Sequence, residues 1–303
     1  HYNYATRISS DNGQAQTLIR DDALIGIMRL LLSSLEDIAS LNIRDRLLES
    51  TTWKDIGSFQ GHTAHLHGDD VLVTIGSSHL FSDDLDVQVS EGLGLPIDRA
   101  LFLSRHKSAS GIPTLTVHPI GNYAHAGYGG RSGELVPSDP ALMTALLLKL
   151  SEKAAGLPFQ VSFETTHHGP WLSIPTTYIE IGSSEATWGH IGAAQAIASA
   201  ILEAEPLVGP VAIGVGGGHY APRFSEVSLS KRICFGHMIP NHAIEKEEDP
   251  IAMERMGKAA KASKADMVYI HRKSMSRSRA TQIKEIALSL GLRAVESKDL
   301  EDR

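Results

Sequence analysis

The amino-acid sequence predicts an α/β protein, a three-layer sandwich built on a mostly parallel mixed sheet. Three observations carry that expectation. Short apolar runs rich in β-formers recur along the chain, most are followed by a stretch of helical periodicity, and nearly every run ends in a cluster of polar residues. Strands alternating with helices imply a mainly parallel sheet covered on both faces. Ligands of such sheets bind beyond the carboxyl ends of the strands.

In chain order the expected strands are residues 30–32, 71–75, 101–103, 115–117, 160–163, 178–181, 211–215, 233–235 and 267–270. Helical patterns fall at 41–49, 140–153, 188–202 and 281–290. The second opens on Ser138-Asp139-Pro140, an N-cap with proline in the first turn. The third is alanine-rich with Ile191, Ile197 and Ile201 on one stripe, and the fourth stops at Gly291, a C-cap glycine. Residues 1–20 are polar and aperiodic. Residues 1–27 are therefore expected to be an extension outside the fold, the alternative being an edge strand at 24–27. Residues 28–303 are expected to form a single catalytic domain, since no internal repeat or low-complexity linker divides them.

Composition narrows the function classes. Of 303 residues 42% are apolar and 21% charged, which excludes a disordered or fibrous chain. The single cysteine, Cys234, cannot form an intramolecular bridge, which suits a cytoplasmic protein. No run approaches the roughly 18 apolar residues of a membrane span, so no membrane partner is expected. Twenty-eight Lys and Arg against 35 Asp and Glu give a net charge of −7. That balance argues against non-specific DNA binding, which needs a basic face. Monomer is the default state. The compositional oddity is 15 histidines.

The polar clusters hold many of them. Strand 71–75 leads to His79, then Asp83, Asp84 and Asp86, for which a solvated turn is as good a reading as a site. Strand 101–103 leads to Ser104-Arg105-His106-Lys107, and 115–117 to His118 and Asn122. Strand 160–163 leads to Glu164-Thr165-Thr166-His167-His168, 211–215 to Gly216-Gly217-Gly218-His219, and 233–235 to Gly236-His237. The pattern predicts one histidine-lined pocket at one rim of the sheet. The glycine run is neither a dinucleotide fingerprint nor a P-loop, because His219 stands where the third glycine belongs and no Gly-Lys-Ser/Thr follows. It is either a tight turn or a cradle of amides for an oxyanion. Glu164 and His167 stand in E-x-x-H spacing with His168 adjacent, a candidate ligand set for Zn(2+), since zinc hydrolases use three His, Asp or Glu ligands and leave a position for water. His219, His237 and Glu164 are the candidate catalytic residues. Gly216, Gly217, Gly218, Arg105, Lys107, Asn122 and Arg223 are candidates for substrate binding. No G-x-S-x-G elbow supports a serine nucleophile, and Cys234 lies inside an apolar strand.

Several strings then resemble a known family. SRHKSASGIPTLTVHPIGN (104–122), FETTHHGP (163–170), IEIGSSEATW (179–188), GVGGGHYAPRF (214–224) and FGHMIPNH (235–242) resemble the archaeal and plant-type D-aminoacyl-tRNA deacylases, as do NIRDRLLE (42–49) and HLFSDDLD (79–86). The resemblance begins at Met28, making that residue the expected natural start. It implies a fold related to peptidyl-tRNA hydrolases and purine-nucleoside phosphorylases, zinc as cofactor, and hydrolysis of the ester between a D-amino acid and the terminal adenosine of tRNA. The implied partner is the acceptor end of aminoacylated tRNA. Its charge would be met locally by Arg105, Lys107, Arg223 and the basic cluster 272–279. A zinc-dependent amidohydrolase or peptidase acting on small metabolites would use the same pocket without tRNA. A phosphate-dependent nucleoside phosphorylase and a non-enzymatic binding module are the remaining alternatives.

Overall fold

Strand-forming runs in the first two thirds of the chain assemble into one large sheet, and those of the last third into a second, smaller one. The computed structural model describes residues 28–303, so the extension or edge strand expected within residues 1–27 lies outside the described residues. The described residues begin with β1 (Met28–Ser34), α1 (Ile38–Ser50), β2 (Lys54–Phe59), β3 (His62–His67) and β4 (Asp70–Ile75). Then come α2 (Leu85–Leu93), β5 (Ile97–Arg105), β6 (Thr114–Pro119), α3 (Pro140–Lys153), β7 (Gln160–Phe163) and β8 (Thr176–Gly182). The remainder comprises α4 (Glu185–Trp188), α5 (Ile191–Glu203), β9 (Val211–Val215), α6 (Pro222–Ser230), β10 (Cys234–Ile239), α7 (Asp249–Ser263), β11 (Met267–Ile270), α8 (Arg277–Ser289) and β12 (Arg293–Val295).

The large sheet has the order β2-β3-β4-β1-β5-β8-β6-β7. Pairing is parallel from β4 through β8 and again between β6 and β7, but β6 runs antiparallel to β8. The small sheet, β10-β9-β11-β12, is parallel throughout. The expected fold class holds, with its strands divided between two sheets. Helix α3 shows how both are covered. It packs on β6 and β7 with one side and on β10 with another, and its Leu142, Met143, Leu146, Leu147 and Leu150 are all buried, as expected of a helix apolar around most of its circumference.

Period-two alternation assigns the faces of the large sheet. Leu31, Leu101, Leu103, Val117, Ile179 and Ile181 face α1, α3 and α5 in a core that continues to Phe235 and Tyr269 of the small sheet. Leu30, Leu32, Phe102 and Tyr178 face the opposite side. The small sheet is closed on its other side by α7 and α8 through Ile213, Val215, Met256, Val268 and Ile283. Burying a side chain of this size is worth about 1.5–3 kcal/mol, so these clusters set the strand register.

Local chemistry sets the helix ends. Asp139 caps α3 by accepting from the Leu142 amide, as the sequence led one to expect. The single helix expected over 188–202 is instead α4 and α5, because the His190 ring accepts the Ala193 amide and starts a new helix. Gly291, just past α8, has φ +75°, the left-handed conformation that favours glycine. The β2–β3 hairpin escaped the sequence reading because its residues are mostly polar and either exposed or half-buried. Its turn is the pair Gln60-Gly61, both at positive φ, as a two-residue turn of the primed type requires. Asp83 and Asp86 are not a solvated turn. Asp83 accepts the Trp171 amide at 2.7 Å, and Asp86 accepts the Ser173 amide and hydroxyl, so they anchor the segment after Pro170.

Candidate active site

Four imidazoles and two carboxylates converge where β5, β6, β7 and β9 end. β5 delivers His106 just past its last residue, and β6 carries His118 near its end. β7 is followed at once by Glu164, and the chain then runs on beside β6, so that His167 pairs with Ile120. β9 leads through the glycine run to His219, and Tyr220 pairs with Glu164. The sixth member, Glu180, stands inside β8. There the register sets Ser104 of β5 and Thr116 of β6 opposite it, on the face away from α1, α3 and α5.

Glu164 is fully buried and lies 3.1 Å from His219 Nε2, 3.3 Å from His106 Nδ1 and 3.5 Å from His167 Nε2. Glu180 lies 3.4 Å from His118 Nε2 and 3.6 Å from His106 Nδ1. The His118 and His167 rings stack with centroids 4.0 Å apart, and those of His167 and His219 are 4.6 Å apart. His219 is the exposed member, with 43% of its side chain open. His79 completes the wall, its Nε2 3.2 Å from Ser104 Oγ and its ring against Tyr178.

Burial raises the Glu180 carboxyl, but His118 and His106 outweigh it and hold the group well below the ordinary carboxylate range. The same pairing works in reverse on the rings. Burial lowers His118 and His106, yet Glu180 and Glu164 bring both above the ordinary imidazole value. His167 goes the other way, pushed well down by burial and by its neighbours His118, His168 and His219. Its Nδ1–H donates to the Thr165 carbonyl at 2.8 Å, so the Nε2 lone pair points at Glu164 Oε2. Two lone pairs face each other there across 3.5 Å, an arrangement that favours a cation between them. Both oxygens of Glu164, Oε2 of Glu180 and Nε2 of His118 are buried without a hydrogen-bond partner, which ordinarily costs about 1–3 kcal/mol per group. The donors of His118, Glu164, His167 and Glu180 lie within 4.8 Å of one another, as do those of His106, Glu164 and His219. These N and O donors fit zinc.

Of the residues singled out by sequence, Glu164, His167 and His219 meet at this centre. His168 stands outside both ligand constellations, its ring edge-on to His167 with centroids 4.7 Å apart. His237, expected to be catalytic, does not reach the centre. It is fully buried, its Nε2–H donates to the Val136 carbonyl, and Nδ1 accepts from the Thr166 hydroxyl, which is itself taking the Met238 amide. With both nitrogens occupied it is a structural histidine. Two of the three glycine amides are taken within the fold. Gly216 donates to the Ile239 carbonyl, and Gly217 to Asn241 Oδ1 and Ser274 Oγ. With φ of +110° and +94° these two turn the chain so that His219 lies over Glu164. The next residue, Gly218, accepts the Thr165 hydroxyl at its carbonyl.

The remaining candidates are spread out. Asn122 Nδ2 donates to the Gly129 carbonyl and pins the loop that follows. The Arg105 guanidinium lies over Trp188 at 5.1 Å and donates to the Glu36 carbonyl, at the mouth of a small pocket shared with His79, His168 and Glu180. Lys107 is exposed. Arg223 is held by Tyr269, Ser297 and Glu226 in a cleft at the carboxyl edge of the small sheet. Within the 272–279 cluster Arg279 cannot meet phosphate, being buried on the carbonyls of Ile244 and Glu247 and on Asp249. The sequence reading placed His106 and His118 in polar clusters but gave them no role, and it missed Glu180 altogether. A carboxylate between two isoleucines in a buried strand was the available sign, because a buried charge is paired or binds a metal.

Comparison with known proteins gives a consistent result. Residues 93–295 match the family described as D-aminoacyl-tRNA deacylase. A relative of that name from Methanosarcina mazei is 37% identical over 90% of this chain and 93% of its own length. One from Thermococcus onnurineus is 34% identical over 88% of this chain and 98% of its own. One from Methanococcoides burtonii is 36% identical over 91% of this chain, which spans 58% of that longer protein. A crystal structure of a conserved protein of unknown function superposes with a TM-score of 0.81 at 32% identity, covering 92% of this chain and 99% of its own.

Proposed function

The chain belongs to the D-aminoacyl-tRNA deacylase family, and from that premise we propose that it hydrolyses the ester between a D-amino acid and the terminal adenosine of tRNA. The carrying observation is the pair of buried carboxylates shared among four imidazoles, with His219 open to solvent. An aminoacyl ester is already activated, so hydrolysis needs a positioned water and a field that stabilises the developing oxyanion. Glu164 and His219 together accept the proton of a water approaching from the open side. His106, which Glu180 and Glu164 keep readily protonated, places positive charge beside the carbonyl.

The cofactor of this reading is zinc, with His118, His167, Glu164 and Glu180 as its holders in place of the expected His167, His168 and Glu164. When bound, the ion would polarise the carbonyl and acidify a water. The acidic net charge is reconciled with a polyanionic partner by the small-sheet cleft of about 670 Å³. Arg223, Arg272, Lys273 and Lys298 line it against only Glu226 and Glu296.

Incubating the protein with D-tyrosyl- and L-tyrosyl-tRNA, with and without a chelator, tests the reading. Selective loss of the D-ester that chelation abolishes is the expected result. Equal loss of both esters rejects chiral proofreading, and chelator-resistant activity rejects zinc.

A further inference from the structure

A second cavity, of about 270 Å³, shares the wall formed by His167 and His168 with the reactive centre. Its rim carries Tyr128, 64% exposed, with its ring 5.6 Å from that of His168. His125 and His242 add further flat rings to the lining. The Tyr123 hydroxyl is buried at this wall.

The loop that presents Tyr128 is held in place. Asn122 Nδ2 donates to the Gly129 carbonyl, the Gly133 amide donates to the Ala124 carbonyl, and Arg131 lies over Trp171 at 4.5 Å. A Cβ on Gly129 would fall inside the Leu80 carbonyl, so this stretch sits directly on its neighbour. Fixing a large aromatic in water gives the fold no packing in return, whereas a platform for a planar base gains stacking on arrival. A neighbouring pocket between Asp37, His79, Ser104 and Glu180 is only about 60 Å³, too small for a base.

We propose that the larger cavity receives the 3′-terminal nucleoside of the substrate, its base stacked on Tyr128 so that the ester reaches over Glu164. This rests on the deacylase reading and adds the binding site for the leaving half of the ester.

The test uses the whole protein and the variants Tyr128→Ala and Tyr128→Phe. Adenosine binding is titrated directly, and hydrolysis is followed on 3′-O-D-tyrosyl-adenosine and on D-tyrosine methyl ester. Tyr128→Ala should weaken adenosine binding and raise KM for the nucleoside ester about tenfold, the scale of one stacked base. Its kcat should hold within about twofold on the same grounds, with methyl-ester hydrolysis unchanged and Tyr128→Phe behaving like the parent. Adenosine binding that Tyr128→Ala leaves intact, or equal losses on both esters, overturns the proposal. A protein that hydrolyses neither ester would defeat the deacylase reading, while the adenosine titration would still decide the cavity.

Discussion

Glu164 touches three imidazoles and no hydrogen-bonding hydroxyl or amide, so its charge is answered only by groups that serve the reaction. Glu164→Gln keeps the shape and removes the base. Hydrolysis of D-tyrosyl-tRNA should fall between about a hundred- and ten-thousandfold, with a thermal midpoint close to the parent's. An unchanged rate would remove Glu164 from the mechanism. His237 makes the contrasting case. Burial pushes it down to about 4, whereas in the unfolded chain it titrates near 6.5. Below 6.5 the unfolded state therefore binds a proton that the native state refuses, and stability declines as pH falls from about 6.5 to 4. This one group accounts for about 3 kcal/mol of that decline. Urea midpoints measured across the window should slope less in His237→Gln than in the parent. By sequence alone His237 and His118 look alike, each at the end of an apolar run. What separates them is whether the facing segment offers a carbonyl or a carboxylate, and that depends on contacts 101 and 62 residues away.

At the scale of elements, strand and helix content was legible wherever burial imposed a period. The runs at 160–163, 211–215 and 267–270 and the helix 140–153 coincide with β7, β9, β11 and α3. The hairpin and the break before α5 were not, since one is polar and the other depends on a side-chain ring. The rim of strand ends was legible too, but Glu180 lies within a strand, brought into play by the antiparallel pairing of β6 with β8, which no local pattern announces. Close approach matters here as well. A Cβ on Gly182 would sit 2.7 Å from Thr114 Oγ1 and 2.9 Å from the His106 side chain. Gly182→Ala should therefore cost about 1–3 kcal/mol in chemical unfolding and displace His106, lowering kcat more than it changes KM. A variant as stable and active as the parent would show that the two strands have room to spare.

For the whole molecule, charge distribution decides more than net charge. Glu296 alone answers both Arg272 and Lys298, so the small-sheet cleft keeps a local excess of positive charge on an acidic protein. Reversing Lys273 and Lys298 to glutamate should weaken tRNA binding and flatten its dependence on salt by about 0.7 logarithmic units for each phosphate no longer neutralised. Hydrolysis of a short nucleoside ester should be untouched. An unaltered salt slope would place the polyanion on another face. Arg223 and the basic run were visible in the sequence as candidates, but not Lys298, which only the parallel order of β11 and β12 brings alongside.

Glu164 and His118 hang from the large sheet, while His219 arrives from the small one on a turn whose amides are tied to Asn241 and Ser274. Turnover thus acts as a gauge of how tightly the two halves are joined. If the C-terminal half loosens first in mild denaturant, the enzyme should fall silent while most of its secondary structure, read by circular dichroism, is still in place.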